Sequence, residues 1–195
     1  MSAALMSLRT QPARAILDAS SSGLVFGVMG ISDAAEGDGG ETRWLDEEER
    51  AAWLAIVAMM LRLPPELDSQ LASSAGLTFF EYLLLARLAE QPDRRVQMRR
   101  LAALTNGSLS RLSHVASRLE QRGLLRRARA TKGPRYMEAI LTPAGYRLVV
   151  RAAPGHVEKV RELVIDSLSR TQLGALAAAG RRVLANIDPG SAWPP

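Results

Sequence analysis

Apolar residues recur along this chain at the spacing of helices that bury one face, and turn-forming residues divide them into successive segments. From Asp46 onward, Trp53, Ile56, Val57, Met60 and Leu61 fall on one helical face. Asp46, with Glu49 three residues on, forms a capping box that marks the start. Pro64-Pro65 are expected to break or kink this helix before Leu67 and Leu71 carry the apolar face on to Gly76. Thr78 and Glu81 make a second capping box, opening a helix with a core face of Leu83, Leu84 and Leu88 that Pro92 closes. Arg95–Gln97 reads as a short extended piece, and Leu101, Ala102 and Leu104 as a brief helix. Asn106-Gly107 reads as a turn. Ser108 caps a longer helix reaching Arg122, with Gly123 as its left-handed stop.

Leu124–Ala130 and Tyr136–Leu141 are short extended runs joined by Lys132-Gly133-Pro134, the pattern of a hairpin and its tip. Two strands of this length do not make a stable sheet alone, so the piece at 95–97 is expected to add a third. Thr142-Pro143 is a cap followed by proline at the first helical position. The helix beyond it carries Leu148 and Val149, kinks at Pro154-Gly155, and resumes with Val157, Val160, Val164 and Leu168. A last helix uses Leu173, Leu176, Gly180, Val183, Leu184 and Ile187. Residues 1–43 hold Ser20-Ser21-Ser22-Gly23 and a Gly-rich acidic stretch at 36–40 with no sustained period. They are expected to form a disordered extension, and residues 188–195 a flexible tail. The predicted fold is mainly α with a small β wing. A winged helix-turn-helix at 78–141 is flanked by helices at 44–77 and 142–187 that pair two copies.

Composition narrows the chemistry. The chain has 195 residues, no cysteine, and only His114 and His156 as histidines, so thiolate or His-rich metal sites and cysteine redox chemistry are excluded. No cofactor is implied. A Ser110–His114 pair at i, i+4 lacks an oriented acid and an oxyanion loop, so an enzyme is not expected. No apolar stretch reaches the ~20 residues of a membrane span, which leaves the cytoplasm as the expected compartment. The net charge of +5 conceals a strong asymmetry. Between Arg94 and Arg135 stand twelve basic residues and one acid, Glu120, while the remainder of the chain is net acidic. Charge polarised in this way is the footprint of a polyanionic partner.

The helix from Ser108 has the form such a partner needs. Leu109, Leu112, Ala116 and Leu119 are spaced to face a core, leaving Ser110, Arg111, Ser113, His114, Ser117 and Arg118 outside. In a helix-turn-helix the second helix enters the DNA major groove, where Arg pairs with guanine edges and Ser or His with bases or phosphates. Ser110, Arg111 and His114, on the first turns, are the expected readers. Ser108 and the amides near it are placed to hold a phosphate. Arg99 and Arg100 open the preceding helix and are expected on the phosphate backbone. Thr131, Lys132 and Arg135 at the hairpin tip, with Arg129 on its approach, suit the minor groove or flanking phosphates.

The run Leu101–Arg127, most specifically Ser108–Arg127, resembles the DNA-binding core of MarR-type (multiple antibiotic resistance regulator) transcription factors. Leu77-Thr-Phe-Phe-Glu-Tyr82 and Leu141-Thr-Pro-Ala-Gly145 are similar to the helix starts that flank that core, and the resemblance spans roughly residues 45–187. It implies a homodimer that binds pseudo-palindromic double-stranded operators, commonly as a repressor, and that a small, often phenolic, effector releases. The sequence departs from the family at the wing. Ala130-Thr-Lys-Gly-Pro-Arg135 lacks the acidic residue that usually steadies the tip arginine.

The apolar residues of the outer helices exceed what a small domain covers, which also points to a two-fold dimer. Trp53, Met59, Met60, Phe79 and Tyr82 are the candidates to line an effector pocket between those helices and the winged domain. The competing function is a winged helix used for protein or RNA contacts, which would show weak, sequence-indifferent duplex affinity.

Overall fold

The computed structural model describes residues 42–130 and 136–189. The expectations for the extension at 1–41, for Thr131, Lys132 and Arg135 at the hairpin tip, and for the last residues of the tail fall outside these. The compact unit that begins at Leu45 contains helices α1 (Glu47–Ala75), α2 (Phe79–Ala89), α3 (Met98–Leu104), α4 (Leu109–Gln121), α5 (Pro143–Val160) and α6 (Arg170–Ile187). Three strands, β1 (Arg95–Gln97), β2 (Leu125–Arg129) and β3 (Met137–Leu141), lie among them. No single described helix is long and apolar enough to cross a membrane.

The capping chemistry read from the sequence is in place. Asp46 Oδ1 accepts from the Glu49 amide at 2.8 Å and Glu49 Oε2 from the Asp46 amide at 3.1 Å. Gly76, at φ 62°, stops α1 and returns its amide to the Ala72 carbonyl. Pro64 and Pro65 do not break this helix; both lie inside it. Their two missing amide donors are absorbed in a helix capped at both ends, with no glycine or cap between to divert the chain. Pro154 likewise sits inside α5. That helix ends in a π-helical turn, Arg161–Ile165, before Ser169 and Gln172 cap α6 with a further box.

The strands form one antiparallel sheet in the order β1-β3-β2, with Val96 and Arg127 both opposite Ala139. β1 thus supplies the third strand that the hairpin needs. The core is built from Leu71 and Leu77, from Leu84, Leu85 and Leu88 of α2, from Leu101, and from Leu112, Leu119 and Leu125, all fully buried. Leu83, expected among them, is only half-buried and borders a cavity, because Leu85 takes the inward position. α1 and α6 bury little within one protomer. Leu71 is the one buried residue of α1, and none in α6 is buried. Leu54, Met60, Leu61, Val183 and Ile187 are between 43% and 73% exposed.

The start of α5 is seated against the end of α4 by a dense set of contacts. Thr142 Oγ1 donates toward the carbonyls of Gly123 and Leu124, at 2.7 and 3.0 Å, and accepts from the Gly145 amide. A Cβ at position 145 would lie 2.0 Å from the Leu124 carbonyl oxygen and 2.8 Å from Leu141 Cδ1. Only glycine allows this approach. Gly145→Ala is therefore expected to lower the unfolding free energy by about 3 kcal/mol, the upper range for overpacking. Denaturant melts measure it, and a loss under about 1 kcal/mol contradicts the packing.

Candidate nucleic-acid interface

α4 is two-sided. Leu112, Val115, Ala116 and Leu119 bury its inner stripe. Ser110, Arg111, His114 and Arg118 are exposed on the other side, with Ser113 and Ser117 half-buried between. Leu109, expected to face the core, is 47% exposed, and Val115 fills the stripe instead. As the first residue of the helix, Leu109 projects past the core into a small cleft bordered by Met98 and Met137. The turn before α4 is tight. Asn106 adopts φ 49°, and a Cβ on Gly107 would stand 3.0 Å from the Phe80 ring. The Ser108 hydroxyl accepts from the Arg111 amide at 3.2 Å, so this side chain serves as the N-cap. Arg99 and Arg100 are exposed on the first turn of α3, and Arg129 is exposed at the end of β2.

The arginines of this surface divide by what holds them. Arg111 rests over the Phe80 ring, its guanidinium carbon 4.3 Å from the ring centre, which orients it without neutralising it. Arg118, on the outward face expected to meet DNA, also pairs within the protein. Its Nη2 donates to Glu81 Oε1 at 3.1 Å. Arg122 Nη1 stands 3.7 Å from Glu81 Oε2. Arg127 makes the tightest pairing: its Nε and Nη2 donate to Glu120 Oε2 at 2.9 and 2.8 Å, and its backbone amide donates to Oε1 at 2.7 Å. The amide hydrogen bond, followed by the guanidinium, holds the Glu120 carboxyl below its usual range despite partial burial. Glu120 thereby ties the last turn of α4 to β2.

An open cavity of about 820 Å³ lies beside α4. Phe79, Phe80 and Leu83 form its apolar wall, and Arg111, His114, Arg118 and His156 its polar one. Of the five candidate effector residues, Phe79 lines this cavity. Tyr82 is buried behind it, 4.5 Å between ring centres from His156. Trp53, Met59 and Met60 are exposed on the N-terminal half of α1 and do not border it, because α1 reaches the cavity only through Pro64 and Asp68. His156 is half-buried between Phe79 and Tyr82. Its Nδ1 is enclosed without a hydrogen-bond partner, and burial lowers its pKa, favouring the neutral ring. Among the described residues no group of three or more His, Asp or Glu side chains gathers as a metal site.

Glu81 and Glu120 are the residues of this surface whose ion pairs pattern reading passed over. Glu81 registered only as a cap, and Glu120 only as the single acid in a basic segment. That isolation was the available signal for an internal partner.

No family model matches the chain, and no curated protein does. Solved structures do. Sco3205 of Streptomyces coelicolor, a MarR family transcriptional regulator crystallised in complex with DNA, is 39% identical. The match covers 78% of this chain and 95% of that one, with a TM-score of 0.74. AbsC, a MarR family transcriptional regulator from the same organism, is 34% identical over 75% of this chain and 98% of its own, with a TM-score of 0.72. The transcriptional regulator BldR of Sulfolobus solfataricus, at 21% identity and a TM-score of 0.61, shares the fold. The order of elements, the three-stranded sheet behind a polar-faced α4, and two relatives above 30% identity over nearly their full length agree: this chain belongs to the MarR family of transcriptional regulators.

Proposed function

We propose that this chain acts as a homodimeric repressor that reads a pseudo-palindromic operator with α4 in the major groove and the β2–β3 wing on flanking DNA. The observation that carries the reading is the outer face of α4. Ser110, Arg111 and His114 stand exposed on the first two turns, with a guanidinium oriented but not neutralised by Phe80. Arg99, Arg100 and Arg129 flank it as exposed cations suited to phosphate. Ser113 and Ser117 are secondary contacts, and Lys132, Thr131 and Arg135 would extend the wing's reach. A relative crystallised with DNA favours this over a protein- or RNA-binding winged helix.

The apolar faces of α1 and α6 support pairing. Trp53, Leu54, Met60 and Leu61 on one and Leu176, Val183 and Ile187 on the other are exposed among the described residues. A two-fold dimer buries them and sets two copies of α4 about 34 Å apart, one turn of DNA. The cavity supports an effector that is a small aromatic anion, since it joins aromatic walls to arginines. Arg111 borders both the cavity and the DNA-reading face, so ligand and operator compete for it.

Selection from genomic fragments with purified protein is expected to recover one inverted repeat. On that operator, Arg111→Ala costs about 1–3 kcal/mol at one base position, whereas Lys132→Ala weakens all duplexes alike and flattens the salt slope. Equal losses on random DNA would remove Arg111 from base reading. Light scattering at micromolar concentration is expected to give the dimer mass; a monomer contradicts the pairing. Titrating an aromatic carboxylate into the protein–operator complex should displace the DNA, and Arg111→Ala should blunt its binding in a DNA-free calorimetric titration. Unchanged carboxylate binding by that variant counts against the shared-arginine site.

A further inference from the structure

The Glu81 carboxylate is the most enclosed charge in the interface, 7% exposed as a side chain, yet it sits on α2 rather than on any DNA-facing element. Oε2 accepts from the Thr78 amide at 3.0 Å and closes the capping box. Oε1 accepts from Arg118 at 3.1 Å, with Arg122 at 3.7 Å from the other oxygen. Both arginines belong to the last part of α4 and its C-cap, and both are substantially exposed, at 62% and 40%. An exposed ion pair is normally worth little because water competes for both partners. Here one partner is out of water, and an unpaired buried carboxylate is costly, so the arginines are held where they are.

We propose that Glu81 is a positioning residue that turns Arg118 and Arg122 from free phosphate-seeking cations into a latch on the recognition helix, and so raises operator preference over general duplex affinity. Two consequences follow from charge alone. Each cation withheld from phosphate lowers the affinity that every duplex shares, and flattens its salt dependence by about 0.9 per contact. The same pairing fixes the roll of α4 against α2, so that Ser110, Arg111 and His114 meet base edges in one register. The latch thus removes unspecific attraction and sharpens the specific kind. It rests on the DNA-binding reading above but makes a claim about the free protein as well.

Glu81→Gln tests it, because the amide oxygen can still accept from Thr78 while the charge is gone. The expected result is a fall of about tenfold in the ratio of operator to random-duplex affinity, together with a random-duplex salt slope steeper by about two, one for each arginine released. A merely structural role would lower both affinities and leave the slope alone, and that result overturns the proposal. Arg118→Gln provides the complement if Glu81→Gln fails to fold. Operator affinity should fall while the random-duplex slope stays put; a slope flatter by about one would mean that Arg118 already holds phosphate, and would also overturn it. Without DNA, the two variants and their double form a cycle read by thermal unfolding. Additive melting-temperature shifts would refute the latch itself, whereas a wild-type protein with no sequence preference would refute the operator reading while the coupling persisted.

Discussion

One constraint organises this molecule: α4 must bury one face to be held and leave the other polar to be used. Leu112, Val115, Ala116 and Leu119 meet the first demand by packing into a core shared with α2, α3 and the sheet. A stripe of apolar contacts holds a helix down but resists sliding and rolling weakly. Two carboxylates supply the direction that packing lacks. Glu81 reaches α4 from the α2 side, and Glu120 reaches out from α4 to β2. With few acids among many arginines, each of these two anions has a defined set of partners, and the remaining cations stay exposed. The basic surface thus holds arginines paired to these carboxylates, Arg118, Arg122 and Arg127, beside the exposed Arg99, Arg100, Arg111 and Arg129.

The outer helices answer to a different demand. The N-terminal half of α1 and much of α6 expose large apolar side chains, and a contiguous surface of this kind commonly marks an interface. The tight seat of α5 on the Leu124 carbonyl, permitted by Gly145, ties the winged region to the helix leading toward α6. Any pairing through α1 and α6 is then transmitted to the spacing of two α4 helices.

Much of this was legible in the sequence because it rests on local rules. Caps at Asp46, Thr78, Ser108 and Thr142, the stops at Gly76 and Gly123, and the short strand at 95–97 all follow from residue types at fixed offsets, and all are found. What escaped was set by tertiary contact. Pro64-Pro65 offer a break as one outcome, but α1 runs through them. Leu109 obeys the period yet stands beyond the core, at a helix end. The pairing of Arg118 with a glutamate 37 positions away is one that no local pattern reveals. His156 and the cavity beside Phe79 emerge only once α1, α2 and α5 converge.

Hydroxyl-radical footprinting on a selected operator tests the central claim most directly. Two α4 helices reading one site predict protection of two half-sites on one face of the duplex, centred about 10 base pairs apart and related by a two-fold axis. Loss of the protection under Arg111→Ala should leave the wing-flanking positions as the last to disappear. Uniform protection without a two-fold pattern, or a footprint that Arg111→Ala leaves unchanged, would contradict the account.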